Sequence, residues 1–159
     1  GAYAVSVCGR PRSTADIDVV VELFETQIDS LFAALKKISK FGYIDKDVAR
    51  YAAKHNGEFN FIDPETGMKV DFWVAKKDKI SELKYKNRIA KKISNKNIYF
   101  ISPEDLIISK LLWYKETMSD RHIEDIESVV KISKLNKKYL RNMVRELNLL
   151  EVLKKIKLK

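Results

Sequence analysis

Apolar and polar positions along this chain separate strands from helices. Ile17 with Val19, Val20 and Val21 follows a Gly/Pro/Arg/Ser/Thr loop and predicts a strand over Asp16–Glu22. From Thr26 or Gln27 to Lys40, apolar residues fall at Ile28, Leu31, Phe32, Leu35 and Ile38, the stripe of an amphipathic helix. Gly42, just beyond, reads as its stop signal. Glu58–Ile62 and Met68–Val74 flank Asp63-Pro64-Glu65-Thr66-Gly67, whose early proline and final glycine predict a hairpin turn. Ala75–Asn97 is polar and basic and reads as a short helix with a loop, and Asn97–Ile101 as a short last strand. Ser102-Pro103-Glu104-Asp105 opens a helix: Ser102 as N-cap, Pro103 in the first position, two acids in the electropositive first turn. Leu106, Ile107, the Lys110 stem, Leu111 and Tyr114 are expected to pack that helix on the sheet. Met118–Ile132 and Lys137–Leu147 predict two further amphipathic helices, and Leu149–Leu158 a basic tail helix.

With the strands all before residue 102 and mainly helices after it, the chain reads as an α+β fold: a small mixed sheet backed by helices, with a C-terminal helical region. Residues 1–101 would form the sheet-bearing core and 102–159 the helices packed on it. With 159 residues, 45% of them hydrophobic, the chain is long enough for a real core, and no repeat interrupts it.

Charge changes this picture more than composition does. The formal net charge is +9. Residues 1–75 hold nine Lys/Arg against eleven Asp/Glu, net −2, whereas residues 76–159 hold twenty-two against eleven, net +11. A basic half of that size suits a polyanionic partner, most plausibly RNA, although lysine-rich helices can equally be solvated faces. The single cysteine, Cys8, excludes an internal disulfide framework and points to a reducing cytoplasm. Apolar runs fall well short of the roughly 20 residues that span a bilayer, so no membrane is expected as a partner. His55 and His122 lie far apart without companions at zinc-site spacing. The oligomeric state is not written in these features.

Two carboxylates carry the candidate chemistry. Asp16 and Asp18 stand at i and i+2 on the first strand, so both side chains point to one face. Like charges held together repel unless a cation lies between them. Mg²⁺, which prefers oxygen ligands and often takes one or two carboxylates plus substrate phosphates, is the expected ion. The bland alternative is that Asp16-Ile17-Asp18 is only the polar mouth of a buried strand. Asp71 lies inside the second arm of the hairpin, on the same face as Lys69 and Trp73, where aspartate is disfavoured by propensity.

Gly1-Ala2, then Gly9, Arg12, Thr14, Asp16 and Asp18, resemble the paired small residues and Arg-x-Thr-x-Asp-x-Asp signature of the nucleotidyltransferase superfamily that includes DNA polymerase beta. The nearest likeness is to small microbial nucleotidyltransferase-like proteins related to abortive-infection toxins. Ser102–Leu111, Arg121–Ile126 and Tyr139-Leu140-Arg141 with Leu147-Asn148-Leu149 are similar to that family's C-terminal helices. The resemblance implies a strand ending at the paired small residues, a short helix after them, and a third carboxylate from a later strand, here Asp71. It implies that the family's first strand and a preceding helix belong upstream of Gly1. It also implies Mg²⁺-dependent transfer of a nucleotidyl group from an NTP to an acceptor hydroxyl, with RNA or a tRNA end, a protein hydroxyl and a small molecule all open as acceptors. Asp16, Asp18 and Asp71 would be the catalytic and metal-binding residues, holding two Mg²⁺ ions. Gly1, Ala2, Arg10, Arg12, Ser13, Thr14 and Lys110 would be the nucleotide-binding residues. Ala2 replaces the usual Gly or Ser, which removes a phosphate-binding hydroxyl and sets a methyl group near the nucleotide path.

Each of these has a structural reading beside the functional one. Arg12 can meet phosphates or pair with a core carboxylate, and Ser13 and Thr14 can bind phosphate or cap the turn. Lys110 can reach the triphosphate or snorkel to solvent. Cys8, Trp73 and Trp113 read as packing residues, and His122 as structural or surface. Two rival functions remain: a catalytically inactive binding protein, such as a toxin–antitoxin component or regulator, and an RNA-binding module that leaves the triad idle.

Overall fold

Among the described residues, 1–156 of this computed structural model, the chain divides into two compact units. One comprises Gly1–Tyr3 with Ser13–Ser81, the other Ala4–Arg12 with the residues from Glu82 onward. The chain passes between them at 81/82, earlier than the 101/102 split its sequence suggests. The reason is strand pairing, set out below. Lys157, Leu158 and Lys159, onto which the expected tail helix runs, lie outside the described residues.

The first unit is built on a three-stranded mixed sheet in the order β1-β3-β2. β1 (Asp16–Val21) runs parallel to β3 (Lys69–Val74), and β2 (Glu58–Ile62) pairs antiparallel with β3 across the expected hairpin, whose Gly67 has a φ of +70°. Parallel pairing of β1 with β3 demands a long crossover. It is made by a 3₁₀ turn at Glu25–Gln27, α2 (Ile28–Ile38), α3 (Lys46–His55) and β2. One sheet face carries Val19, Val21, Val70, Phe72, Val74, Phe59 and Phe61, which pack with Ile28 and Leu35 of α2 and Ala49 and Ala52 of α3. Phe59 and Phe72 stack with ring centroids 5.0 Å apart. Each large side chain so buried contributes about 1.5–3 kcal/mol.

Two expectations change here. Ile38 ends the apolar stripe of α2 but is 78% exposed, because the helix stops there and leaves the core behind. Gly42 is no helix stop: Ser39 is the C-cap, and a Cβ at Gly42 would fall 2.2 Å from the Phe61 ring. Glycine is needed for close approach. α3 is an element that the apolar pattern of this stretch did not declare. Asp45 caps it by accepting hydrogen bonds from the N–H groups of Asp47 and Val48, and Asn56 ends it in the left-handed region.

The second unit is mostly helical. α1 (Ala2–Cys8), the short helix expected after the paired small residues, delivers Val5 and Cys8 to its core. α4 (Lys79–Asn87) leads to β4 (Ile89–Ile93) and β5 (Lys96–Phe100), joined through Ser94 and Asn95, both at positive φ. That is the twist of a tight hairpin. β5, the short last strand expected over Asn97–Ile101, pairs with β4 alone, which draws this stretch into the second unit. α5 (Pro103–Thr117) starts as expected, with the Ser102 hydroxyl accepting from the Asp105 N–H. Where packing on a sheet was expected, its buried face packs on helices of its own unit, α6 (Asp120–Ile132), α7 (Lys137–Glu146) and α8 (Leu150–Lys155). Asp105, fully buried, accepts from the hydroxyls of Tyr139 and Ser102 and the amide of Asn87, tying α7 and α4 to the start of α5. Burial, reinforced by that bond, pushes the Tyr139 phenol above its ordinary range. Among the described residues no helix is long and apolar enough to cross a membrane.

Candidate active site

The side of the three-stranded sheet opposite the core is a charged lattice. Register places Asp16 opposite Lys69, Asp18 opposite Asp71 and Val20 opposite Trp73; across the hairpin Asp71 faces Asn60 and Trp73 faces Glu58. Strand periodicity puts all of these side chains on one face. The structure therefore brings Asp16, Asp18 and Asp71 together, with two like charges directly across the ladder at Asp18 and Asp71.

Lys69 answers that repulsion. Its ammonium donates to Asp71 Oδ2 at 2.8 Å and lies 3.8 Å from Asp16 Oδ1. The hydrogen bond to Asp71, with the nearby carboxylate charges, holds the ammonium above its ordinary pKa. Lys69 was read from the sequence only as a neighbour of Asp71. Its bond to Asp71 follows from alternation along β3, whereas its approach to Asp16 depends on the parallel register, which no local pattern declares. Among the described residues no three acidic, histidine or cysteine side chains close on a point as a finished metal cage. The donor set nevertheless fits a hard divalent cation, being carboxylate oxygens on a rigid, solvent-accessible face. The Lys69 ammonium stands in for such a cation, showing that the face accommodates positive charge between two of its carboxylates.

The other predicted residues of this unit serve the same face in different ways. The Gly1 nitrogen lies 3.5 Å from Asp18 Oδ2, and a Cβ at Gly1 would overlap that oxygen at 1.5 Å, so only glycine lets the carboxylate sit there. Ala2 is buried, so its methyl group is packed and does not stand in an open path. The Thr14 hydroxyl accepts from the Asp16 N–H, the turn-capping arrangement, and Ser13 is exposed beside it. Next to Asp71 opens a cavity of about 370 Å³, lined also by Tyr43, Asp45, Val48, Glu58 and Asn60.

In the second unit Arg12 and Lys110 converge on a residue that had not been singled out as functional, Asp125. Arg12 donates through Nε to Oδ1 at 3.0 Å and through Nη2 to Oδ2 at 3.3 Å, while Lys110 Nζ lies 2.7 Å from Oδ2. Lys110 does not snorkel: it is 8% exposed and its partner 3%. Burial pushes the Asp125 carboxyl up, but the hydrogen bonds and charges of Arg12 and Lys110 outweigh it and hold it below its ordinary value. The signal was available in sequence, since an acid stands on the apolar face of a helix beside Ile126 and Val129. His122 reaches the same neighbourhood with Nδ1 buried and without a partner; burial and the Lys110 charge keep its imidazole below its ordinary pKa. Arg10 is exposed, its N–H donating to the Ser128 hydroxyl. Cys8 is buried, and burial raises its thiol, which fits a packing residue.

Comparison with known proteins adds one finding. A family model described as a nucleotidyltransferase of unknown function (DUF6036) matches residues 1–159. A search of the curated proteins finds no match.

Proposed function

Because this chain belongs to that nucleotidyltransferase family, we propose that it transfers a nucleotidyl group from an NTP to an acceptor hydroxyl with Asp16, Asp18 and Asp71 as its catalytic carboxylates. The observation that carries this reading is the register: Asp18 is set directly opposite Asp71, two residues from Asp16, on the open face of the sheet. Such a cross-strand pair of like charges is destabilising on its own account, which favours use over filler.

Asp16 and Asp18 would hold a divalent cation against the triphosphate, and Asp71 with Asp18 a second against the acceptor. Bound there, Mg²⁺ supplies charge neutralisation at the phosphates and a lowered pKa at the attacking hydroxyl. The acceptor oxygen bonds to the α-phosphorus, the bond to the bridging oxygen breaks, and pyrophosphate leaves. Asp71 would receive the hydroxyl proton, a role supported by its position at the border of the cavity beside Tyr43 and Asn60. Gly1 keeps the path to Asp18 clear, and Thr14 fixes the turn that aims Asp16. Positioning and charge do most of the work in phosphoryl chemistry of this kind, so no cysteine or histidine nucleophile is required. The sequence likeness to relatives of abortive-infection toxins makes RNA or protein the acceptor class we propose, and the single buried cysteine suits a reducing cytoplasm.

Incubation with each α-labelled NTP, Mg²⁺ and total cellular RNA or protein should label one acceptor pool. Asp18→Asn should keep the fold and abolish the label. Equal labelling by wild type and Asp18→Asn would refute the assignment. One observation favours the alternative of a binding protein that keeps the fold without catalysis: Lys69 already neutralises Asp71. That reading predicts no labelling by either protein and no divalent-cation binding.

A further inference from the structure

The stretch from Leu83 to Pro103 contains six cations, Lys84, Lys86, Arg88, Lys91, Lys92 and Lys96, and no acid. It folds into the end of α4 and the β4–β5 ribbon. Nearly every ribbon residue from Ala90 to Tyr99 is exposed, and the two strands pair only with each other. A lone two-stranded ribbon is marginal in water, so an exposed one invites a function. Among the described residues none of Arg88, Lys91, Lys92 and Lys96 has an acidic partner, although eleven acids lie in residues 76–159. A merely solvated lysine face usually interleaves acids.

Aromatic surface completes the feature. The Arg88 guanidinium lies 4.8 Å from the Tyr99 ring centroid and 5.4 Å from that of Tyr85. Tyr99 is 57% exposed on the ribbon face it shares with Ala90, Lys92 and Asn97, while Lys91, Ile93, Lys96 and Ile98 are open to solvent on the opposite face. Unpaired cations spaced along a ribbon, with an exposed ring held in place by an arginine, are the two components of a single-strand binding surface. The cations follow phosphates, and the ring stacks on a base. An acidic peptide would satisfy the lysines but leave the Tyr99 face without a partner of its own kind.

We infer that the β4–β5 ribbon is a binding surface for single-stranded nucleic acid, with Tyr99 stacking on a base, Lys92 contacting phosphate on the same face, and Lys91 and Lys96 meeting phosphates as the strand passes round the ribbon to its opposite face. This does not depend on the proposed transfer activity, which the carboxylate face would carry, and the test below contains no NTP.

Binding of a fluorescein-labelled oligoadenylate is followed by anisotropy over a series of salt concentrations. Full-length wild type should bind with log Kd linear in log salt, and Lys91→Gln/Lys92→Gln/Lys96→Gln should lower the slope by about 2, near 0.7 for each lost phosphate contact. Tyr99→Ala should weaken binding at least about fivefold while leaving the slope unchanged, the mark of stacking. A control of equal charge loss around the α6–α7 junction, Lys131→Gln/Lys134→Gln/Lys137→Gln, should keep the wild-type slope to within about half a unit. Every position is exposed or half-exposed, and melting curves of the variants verify that each is folded. The inference is overturned if wild type fails to bind the oligonucleotide at low ionic strength, if the control triple matches the ribbon triple, or if Tyr99→Ala binds like wild type. Preferential capture of polyglutamate over oligoadenylate would overturn it in favour of an acidic protein partner.

Discussion

Replacing Asp125 by alanine removes the carboxylate that Arg12 and Lys110 share, and its cost can be worked from the structure. Deleting one partner of a buried ion pair costs about 3–5 kcal/mol, because a charge is stranded. Lys110, at 10% side-chain exposure, bears most of that, whereas Arg12, at 27%, regains part of its hydration. A loss of about 3 kcal/mol is expected. At about 2–4 °C per kcal/mol for a chain of this size, Tm should fall by roughly 6–12 °C, measured by circular dichroism at neutral pH. Lys110→Met leaves Asp125 with Arg12 and should cost less, on the order of 1–2 kcal/mol. The double variant Asp125→Ala/Lys110→Met should recover part of the loss, since the stranded ammonium is gone. Acid adds an independent check. The folded carboxyl lies below its ordinary pKa, so its contribution is whole above about pH 4 and is lost as pH falls through the folded value. Wild type should therefore lose more stability on acidification below about pH 4 than Asp125→Asn does. An Asp125→Ala protein within about 0.5 kcal/mol of wild type, or a double variant no better than the sum of the singles, would refute the reasoning.

Gly42→Ala should destabilise by roughly 1–3 kcal/mol in urea titration, because its Cβ meets the Phe61 ring and not open space; an unchanged midpoint would show that Phe61 shifts freely. Lys69→Met should lower stability without metal by no more than about 1 kcal/mol, since the pair is half-exposed. It should also tighten Mn²⁺ binding several-fold in calorimetry by removing a competing cation, and weaker binding would mean that Lys69 helps to hold the site.

Much of the fold is legible because its signals are local. The Asp63–Gly67 turn fixes the hairpin register by chain geometry alone, and Ser102-Pro103 starts α5 through chemistry confined to four residues. The same locality explains the misses. α3 carries small alanines on its buried face, Ala49 and Ala52, so its hydrophobic signal was weak although its cap at Asp45 was present. β4 is lysine-rich and reads as loop; it is a strand because Ser94 and Asn95 turn the chain back onto itself.

For the site, spacing alone showed that Asp16 and Asp18 share a face, since alternation along a strand is a property of the backbone. The amino-acid pattern likewise named Asp71 as an aspartate out of place in a strand. Only the tertiary structure decided that β1 and β3 run parallel in a register that sets Asp18 against Asp71 and Asp16 against Lys69. The paired positions lie 53 residues apart in the chain (Asp16 with Lys69), and nothing in either strand specifies its partner. The identity of the Arg12 partner is of the same kind: Asp125 lies 113 positions away. The chain's local chemistry could state that a carboxylate was wanted, and only the packing of α6 within its unit could say which one.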